Sequence, residues 1–189
     1  MSATSKLLMI SMVIAATLLY SVVERRKIEA LQTRSLDPIL KTMPEIEILD
    51  VYQDIPLNQA SILKEGERGV FVHIWGTWCA PCEAELPDFV DFAAKFENQG
   101  VRFVLLAVND EYDKVKSFVE TRLKRIPENI TIALDAEGKT MIPFGTVKVP
   151  ETYLFGSDLK TLTKFVGPQD WRLAGFVERT NRLLRESRK

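Results

Sequence analysis

The sequence predicts an α/β domain built on a mixed central sheet flanked by helices, preceded by an apolar N-terminal segment. Three observations carry that prediction. Strand-like and helix-like patterns alternate from about residue 43 onward, two strand runs are apolar nearly throughout, and a hairpin pattern followed by an amphipathic stretch closes the chain. Alternation of this kind places helices on the faces of a sheet. Continuous apolar strands are those buried on both faces.

Composition sets the bounds. The chain has 189 residues, 46% hydrophobic and 27% charged, enough for one globular domain with a real core. Those values exclude a mainly disordered, collagen-like or polytopic membrane chain. The 25 basic and 26 acidic residues leave a net charge of −1, so no global electrostatic case for nucleic acid exists. One histidine and two cysteines are too few for a four-ligand Cys/His zinc site.

The first segment is residues 7–23 (LLMISMVIAATLLYSVV), seventeen residues without a charge. As a helix it spans about 25 Å, near the lower limit for crossing a bilayer. A cleaved signal peptide, an uncleaved anchor and a buried helix are the three readings. A signal peptide wants small residues after the apolar stretch, where Tyr20, Val22 and Val23 stand instead. The expectation is a transmembrane anchor over residues 1–24, a juxtamembrane linker over 25–42 and the folded domain over 43–189. Lys6 precedes the run, whereas Arg25, Arg26, Lys27 and Arg34 follow it, and charge alone would place the domain in the cytoplasm.

Within the domain, residues 45–51 (EIEILDV) alternate with period two and predict a strand. Residues 70–75 (VFVHIW) and 101–108 (VRFVLLAV) predict central strands. Between them, residues 81–98 carry a helical stripe through Leu86, Phe89, Val90, Phe92, Ala93 and Phe96, ended by Gly100. Residues 112–124 repeat helical spacing, and 130–134 predict a short strand. Residues 151–155 and 159–166 predict an antiparallel pair across Gly156-Ser157-Asp158. Residues 171–185 predict a closing helix with Leu173, Phe176, Val177, Leu183 and Leu184 inward. Its basic face (Arg172, Arg179, Arg182, Arg185, Arg188) is a solvated surface or a weak contact for anionic lipid. Asn129-Ile130-Thr131 matches a glycosylation acceptor, which is expected to be a coincidence.

The stretch that carries chemistry is WGTWCAPC, residues 75–82. It joins a buried strand to an amphipathic helix, placing Cys79 at the helix N-terminus and Cys82 one turn further in. Helix-end N–H groups and the helix dipole favour a thiolate on Cys79. The i, i+3 spacing brings the two sulfurs within bonding reach. Pro81 suits the first turn, where its missing N–H is not needed. Such a pair can attack through Cys79, form a mixed disulfide and resolve it through Cys82. A static bridge closing so small a loop adds little stability, so redox exchange is the favoured reading, with the Cys79–Cys82 disulfide as the only redox group and no separate cofactor or metal.

On these motifs the sequence resembles the thioredoxin superfamily, and within it the membrane-tethered group of TlpA, ResA and CcmG (also called DsbE). The resemblance rests on WCAPC after a buried strand, Glu85-Leu86-Pro87 beyond it, and VPETYLF at residues 149–155. It implies a thioredoxin-like fold and thiol–disulfide oxidoreductase activity. It implies a cis peptide bond at Val149–Pro150, on a loop facing the cysteines where a substrate chain pairs with exposed backbone; Trp78, Ala80 and Pro81 belong to the same substrate surface. Glu151-Thr152 after that proline tilts the client towards apocytochrome c thiols. Glu85 matches a family glutamate that raises the cysteine pKa and moves protons during resolution; its plainer reading is a solvated helix glutamate.

His73 departs from the pattern, which has an aspartate or asparagine at this position. By alternation it shares a strand face with Phe71 and Trp75. Its readings are a neutral base for the Cys82 proton or a hydrogen-bonded core histidine. A charged His73 would instead make the protein more oxidising. The resemblance also implies an extracytoplasmic domain, fed with electrons by a CcdA- or DsbD-type membrane reductase, against the direction that charge alone indicates. Ala-Pro between the cysteines and the acidic Glu83 and Glu85 argue for a reductant. The rival readings are a general envelope disulfide reductase, a Sco-like copper-assembly module, a peroxidase and a non-catalytic domain on a stalk.

Overall fold

The structure, a computed structural model, describes residues 5, 9, 11–23 and 40–187. The chain divides into two compact units, Met1–Asp37 and Pro38–Lys189. In the first, residues 11–23 are helical with every side chain exposed. Among the described residues, no helix is long and apolar enough to cross a membrane. Leu7, Leu8 and Ile10 of the apolar run, the flanking charges Lys6, Arg25, Arg26, Lys27 and Arg34, and most of the expected linker lie outside the described residues.

The second unit is an α/β domain with seven strands and five helices: β1 (Glu47–Asp50), β2 (Ile55–Asn58), α1 (Gln59–Ile62), β3 (Gly69–Trp75), α2 (Ala80–Ala94), β4 (Val101–Val108), α3 (Tyr112–Arg122), β5 (Ile130–Asp135), α4 (Met141–Phe144), β6 (Glu151–Gly156), β7 (Thr161–Val166) and α5 (Ala174–Glu186). The sheet order is β2-β1-β5-β4-β3-β6-β7. The three central strands β5, β4 and β3 run parallel, and both flanks are antiparallel. At one edge, Pro56 of β2 lies opposite Leu49. At the other, the incoming chain lies along the start of β7, where Thr161 N donates to the Lys41 carbonyl at 2.9 Å and Thr42 bridges to Lys160.

Alternation along the strands splits the core between the two faces. Phe71, Trp75, Phe103, Leu105 and Leu154 point to the face covered by α2, α3 and α5. Val70, Val72, Ile74, Val104, Leu106, Tyr153 and Phe155 point to the other, under Met43, Ile62 and Phe144. The first face is unusually aromatic, with Phe89 and Phe92 of α2 edge-on to Phe71 and Trp171 beside both. These rings bring large apolar surfaces to the contact between α2 and the sheet.

Several elements differ from the sequence expectation. β2, α1 and α4 are additional, each only four residues long. Leu159 belongs to the turn and not to the last strand, with φ of 59°. The closing helix begins at Ala174, so Leu173 is its exposed N-cap and not an inward residue, while Trp171 is fully buried ahead of it. The Asn129 side-chain amide donates to the Ala93 and Val101 carbonyls and is committed to the fold.

Candidate active site

The site lies at the carboxyl ends of the parallel strands, where α/β sheets commonly place their chemistry. β3 ends at Trp75, and four residues later Cys79 caps α2. Cys79 Sγ accepts the Cys82 N–H at 3.3 Å, so the sulfur itself takes one of the free helix-end donors. Pro81 occupies the first turn. Cys79 and Cys82 are joined in a disulfide with Cα atoms 5.2 Å apart. Their environments are unequal: Cys79 is 7% exposed and Cys82 0%. Ala80 and Pro81 are exposed beside them, and Trp78 is 55% exposed.

The end of β4 holds the turn before Cys79. The Trp78 indole N–H donates to the Val108 carbonyl at 3.1 Å. Asp110, just past β4 and buried, accepts Thr77 N–H at 2.6 Å and the Thr77 hydroxyl at 2.9 Å. Sequence reasoning missed Asp110; an acidic residue directly after a buried strand was the available signal.

Antiparallel pairing brings in the second loop. β6 pairs with β3 so that Glu151 lies opposite Ile74, which sets the start of β6 beside the end of β3. The Val149–Pro150 peptide bond is cis, and the Val149 carbonyl oxygen lies 3.8 Å from Cys79 Sγ. The structure therefore brings Cys79, Cys82, Val149 and Pro150 together, with Trp78, Ala80 and Pro81 around the rim.

Behind the disulfide, on the α2 face of β3, lies His73, which is completely buried. Its ring stacks on Phe89 with centroids 4.5 Å apart. Nδ1 is 2.8 Å from the Thr152 hydroxyl, the residue opposite it in the β3–β6 register. Nε2 is 3.6 Å from Glu85 Oε1. Burial pulls the imidazole down to about 3, so it is neutral at physiological pH. Burial thus argues against the charged, oxidising reading of His73.

Glu85 is buried as well, at 6% exposure, which overturns the solvated-glutamate reading. It lies one helical turn beyond Cys82 on the same buried face of α2. Its Oε2 accepts the Gln169 N–H at 2.6 Å. Burial pushes the carboxyl up to about 7, against the pull of the Gln169 N–H and the Trp171 side chain towards the ionised form. Thr152, Gln169 and Trp171 were not foreseen as site residues, because they arrive through strand register and a loop 84 positions away from Glu85 in the case of Gln169. Among the described residues, no group of three or more His, Cys, Asp or Glu side chains is placed to hold a metal ion.

The AhpC/TSA family model matches residues 39–163, two thirds of the chain and all of the site up to β7. The chain belongs to the AhpC/TSA family. Its fold is thioredoxin-like. Among curated relatives, thiol-disulfide oxidoreductase ResA of Bacillus thuringiensis subsp. konkukian is 31% identical over 102 residues, 54% of this chain and 57% of the relative. ResA of Bacillus subtilis is 29% identical over 100 residues, 53% and 54% of the two chains. The match thus spans a little over half the length of these relatives. Among solved structures, a thiol:disulfide interchange protein of the thioredoxin family from Chlorobium tepidum superposes with a TM-score of 0.59 at 24% identity, covering 78% of this chain and 99% of the other. A secreted Mycobacterium tuberculosis disulfide oxidoreductase homologous to E. coli DsbE gives 0.56 at 22% identity, covering 73% and 93%. These two likenesses establish the fold.

Proposed function

We propose that this protein is a thiol–disulfide oxidoreductase that reduces disulfides in client proteins. The observation that carries the reading is the asymmetry of the disulfide. Cys79 caps a helix beside the cis-proline loop and keeps a little exposed surface, while Cys82 is completely buried. The names of the ResA relatives support the same class.

In the reduced protein, the Cys79 thiolate attacks one sulfur of the client disulfide. A Cys79–client bond forms, the client S–S bond breaks, and the second client sulfur leaves as a thiolate. Cys82 then gives its proton to the buried Glu85 carboxylate and attacks Cys79 Sγ. The Cys79–Cys82 bond forms, and the first client sulfur leaves as a thiolate. The client gains two electrons and the Cys79–Cys82 pair loses them. Proton transfer is confined to Glu85 and His73 because Cys82 has no exposed surface. The open backbone at Val149 offers the client chain its pairing partner.

A neutral His73 and a near-neutral Glu85 add no cation that would stabilise a thiolate, which fits a reductant. The client class we infer is apocytochrome c thiols, from the resemblance to the ResA and DsbE group. On the same ground we infer an N-terminal membrane anchor, an extracytoplasmic domain and a CcdA- or DsbD-type electron donor. The tether would raise the effective concentration of the domain near that donor.

The deciding experiment is the equilibrium potential of the full chain against glutathione and dithiothreitol buffers. We expect a value more negative than roughly −230 mV, towards thioredoxin and away from DsbA. A value above about −150 mV would overturn the reductant reading. Replacing Cys82 by Ser should accumulate the Cys79–client mixed disulfide, and replacing Cys79 by Ser should abolish exchange altogether.

A further inference from the structure

The buried couple behind the disulfide has an unusual accounting of hydrogen bonds. His73 Nε2 and Glu85 Oε1 are both sealed from solvent, lie 3.6 Å apart, and neither has a hydrogen-bond partner. Every other position on the two groups is taken. Nδ1 is held by Thr152 at 2.8 Å, and Oε2 by Gln169 N–H at 2.6 Å. The open Nε2 and the open Oε1 face each other, and the Trp171 indole N–H, buried and also without a partner, is a further donor acting on the same carboxyl. Leaving both unmade in a dry interior is costly, so a proton belongs between them.

The chemistry of the partners decides how that proton behaves. Neutral imidazole has two tautomers, each with one donor and one acceptor nitrogen. The Thr152 hydroxyl can donate or accept, and so can satisfy Nδ1 in either tautomer. When Glu85 is a carboxylic acid, its hydroxyl donates to Nε2, and Nδ1–H donates to Thr152 Oγ1. When Glu85 is a carboxylate, Nε2–H donates to it, and the Thr152 hydroxyl donates to Nδ1. The two arrangements differ by one proton, and both satisfy these positions once the 3.6 Å gap closes to hydrogen-bond distance.

We propose that His73 is a positioning residue that changes tautomer as Glu85 gains or loses its proton, so that the pair carries one exchangeable proton while the imidazole stays neutral. The use of that proton at Cys82 rests on the oxidoreductase reading above; the switch itself does not.

The charged neighbours of the pair are engaged elsewhere. On α2, Asp88 pairs with Arg172 at 3.4 Å, and Glu83 is only half-buried, away from the core. In the loop after β7, Asp170 pairs with the same Arg172 at 2.8 Å. On β6, Glu151 pairs with Lys164 of β7 at 2.9 Å, and by alternation sits on the opposite sheet face from Thr152. β4 sets Leu105 beside His73, and β7 sets Phe165 beside Thr152. From α5, Arg179 lies over the Phe165 ring at 5.2 Å and donates to the Thr163 hydroxyl at 3.3 Å, and the cysteines are locked in the disulfide.

His73 is the single histidine of the chain, so its ring nitrogens can be read without assignment. The experiment is a pH titration of the full, oxidised chain carrying 15N-histidine. The infrared band of the buried carboxylic acid is followed in parallel. We expect the Nδ1–H tautomer on the acid side and Nε2–H on the alkaline side, with one midpoint shared by the carboxyl band. A single tautomer throughout, or an imidazolium signal appearing with the carboxylate, overturns the proposal. Glu85→Gln should freeze one tautomer at every pH; a variant that still switches overturns it too. His73→Phe keeps the stacking on Phe89 but removes the donor to the carboxylate, and should raise the carboxyl midpoint by about one pH unit. An unmoved midpoint counts against the proposal. Disulfide exchange with glutathione separates the two readings. A protein that exchanges with a fixed tautomer loses only the switch, and one that switches without exchanging loses only the proposed function.

Discussion

Glu85 and His73 pull stability in opposite directions across the acid range. Burial raises Glu85 from an ordinary 4.5 to about 7, so the folded state binds more protons there than the unfolded chain. Its contribution is complete below about pH 4.5 and is lost as pH rises to about 7. His73 falls from 6.5 to about 3, so its contribution is complete above about pH 6.5 and is lost as pH falls towards 3. Each slope is about 1.4 kcal/mol per pH unit where it acts alone. Where the windows overlap, the slopes cancel. Urea midpoints for the native chain should therefore be flat in this pair's contribution from about pH 4.5 to 6.5. Glu85→Gln should remove one arm and leave stability rising with pH across that interval. A variant profile parallel to the native one would show that the carboxyl is not raised.

The same economy appears one level up, in the turn between β3 and α2. Asp110 accepts from Thr77 N, Thr77 Oγ1 and Glu111 N, the last at 2.9 Å, and ties the end of β4 to the residues entering the helix. Asp110→Ala strips all three and leaves the Thr77 N–H without its partner. We expect a loss of about 3 kcal/mol in urea unfolding and disulfide exchange slowed roughly tenfold, with Asp110→Asn recovering part of both. Most elements were legible in the sequence: β3, β4, α2 and α3 carry long, strongly periodic patterns, and the cysteine motif marks the junction between two of them. The missed ones fail for physical reasons. β2 (IPLN) is four residues with a proline and no alternation, and α4 (MIPF) is a single turn. The start of α5 was misplaced because Leu173 offers no side-chain cap to announce it. Cys79, Cys82 and Pro150 could be read from motif. The contacts of His73 with Thr152 and Glu85 could not, since they depend on the β3–β6 register and on how α2 seats on the sheet.

For the whole molecule, the division at residues 37 and 38 suggests where the redox unit begins. A chain starting at Pro38 keeps the strand pairs, both cores and the disulfide, and should unfold cooperatively with the potential of the full chain. A potential differing by more than about 30 mV, roughly tenfold in equilibrium constant, would tie the first unit to the site. The anchor is tested separately: the full chain should float with lipid vesicles and the chain from Pro38 should stay in solution. The sheet itself has two ends that any neighbouring copy would meet. A sheet edge is a row of unpaired donors and acceptors, open to a strand from another chain. Here Pro56 deletes a donor from one row, as proline does when it sits on an outer strand. Residues 41 and 42 occupy the beginning of the other row. In a concentrated preparation, these two small interruptions keep the sheet of one molecule from templating the next, and so guard against fibrils.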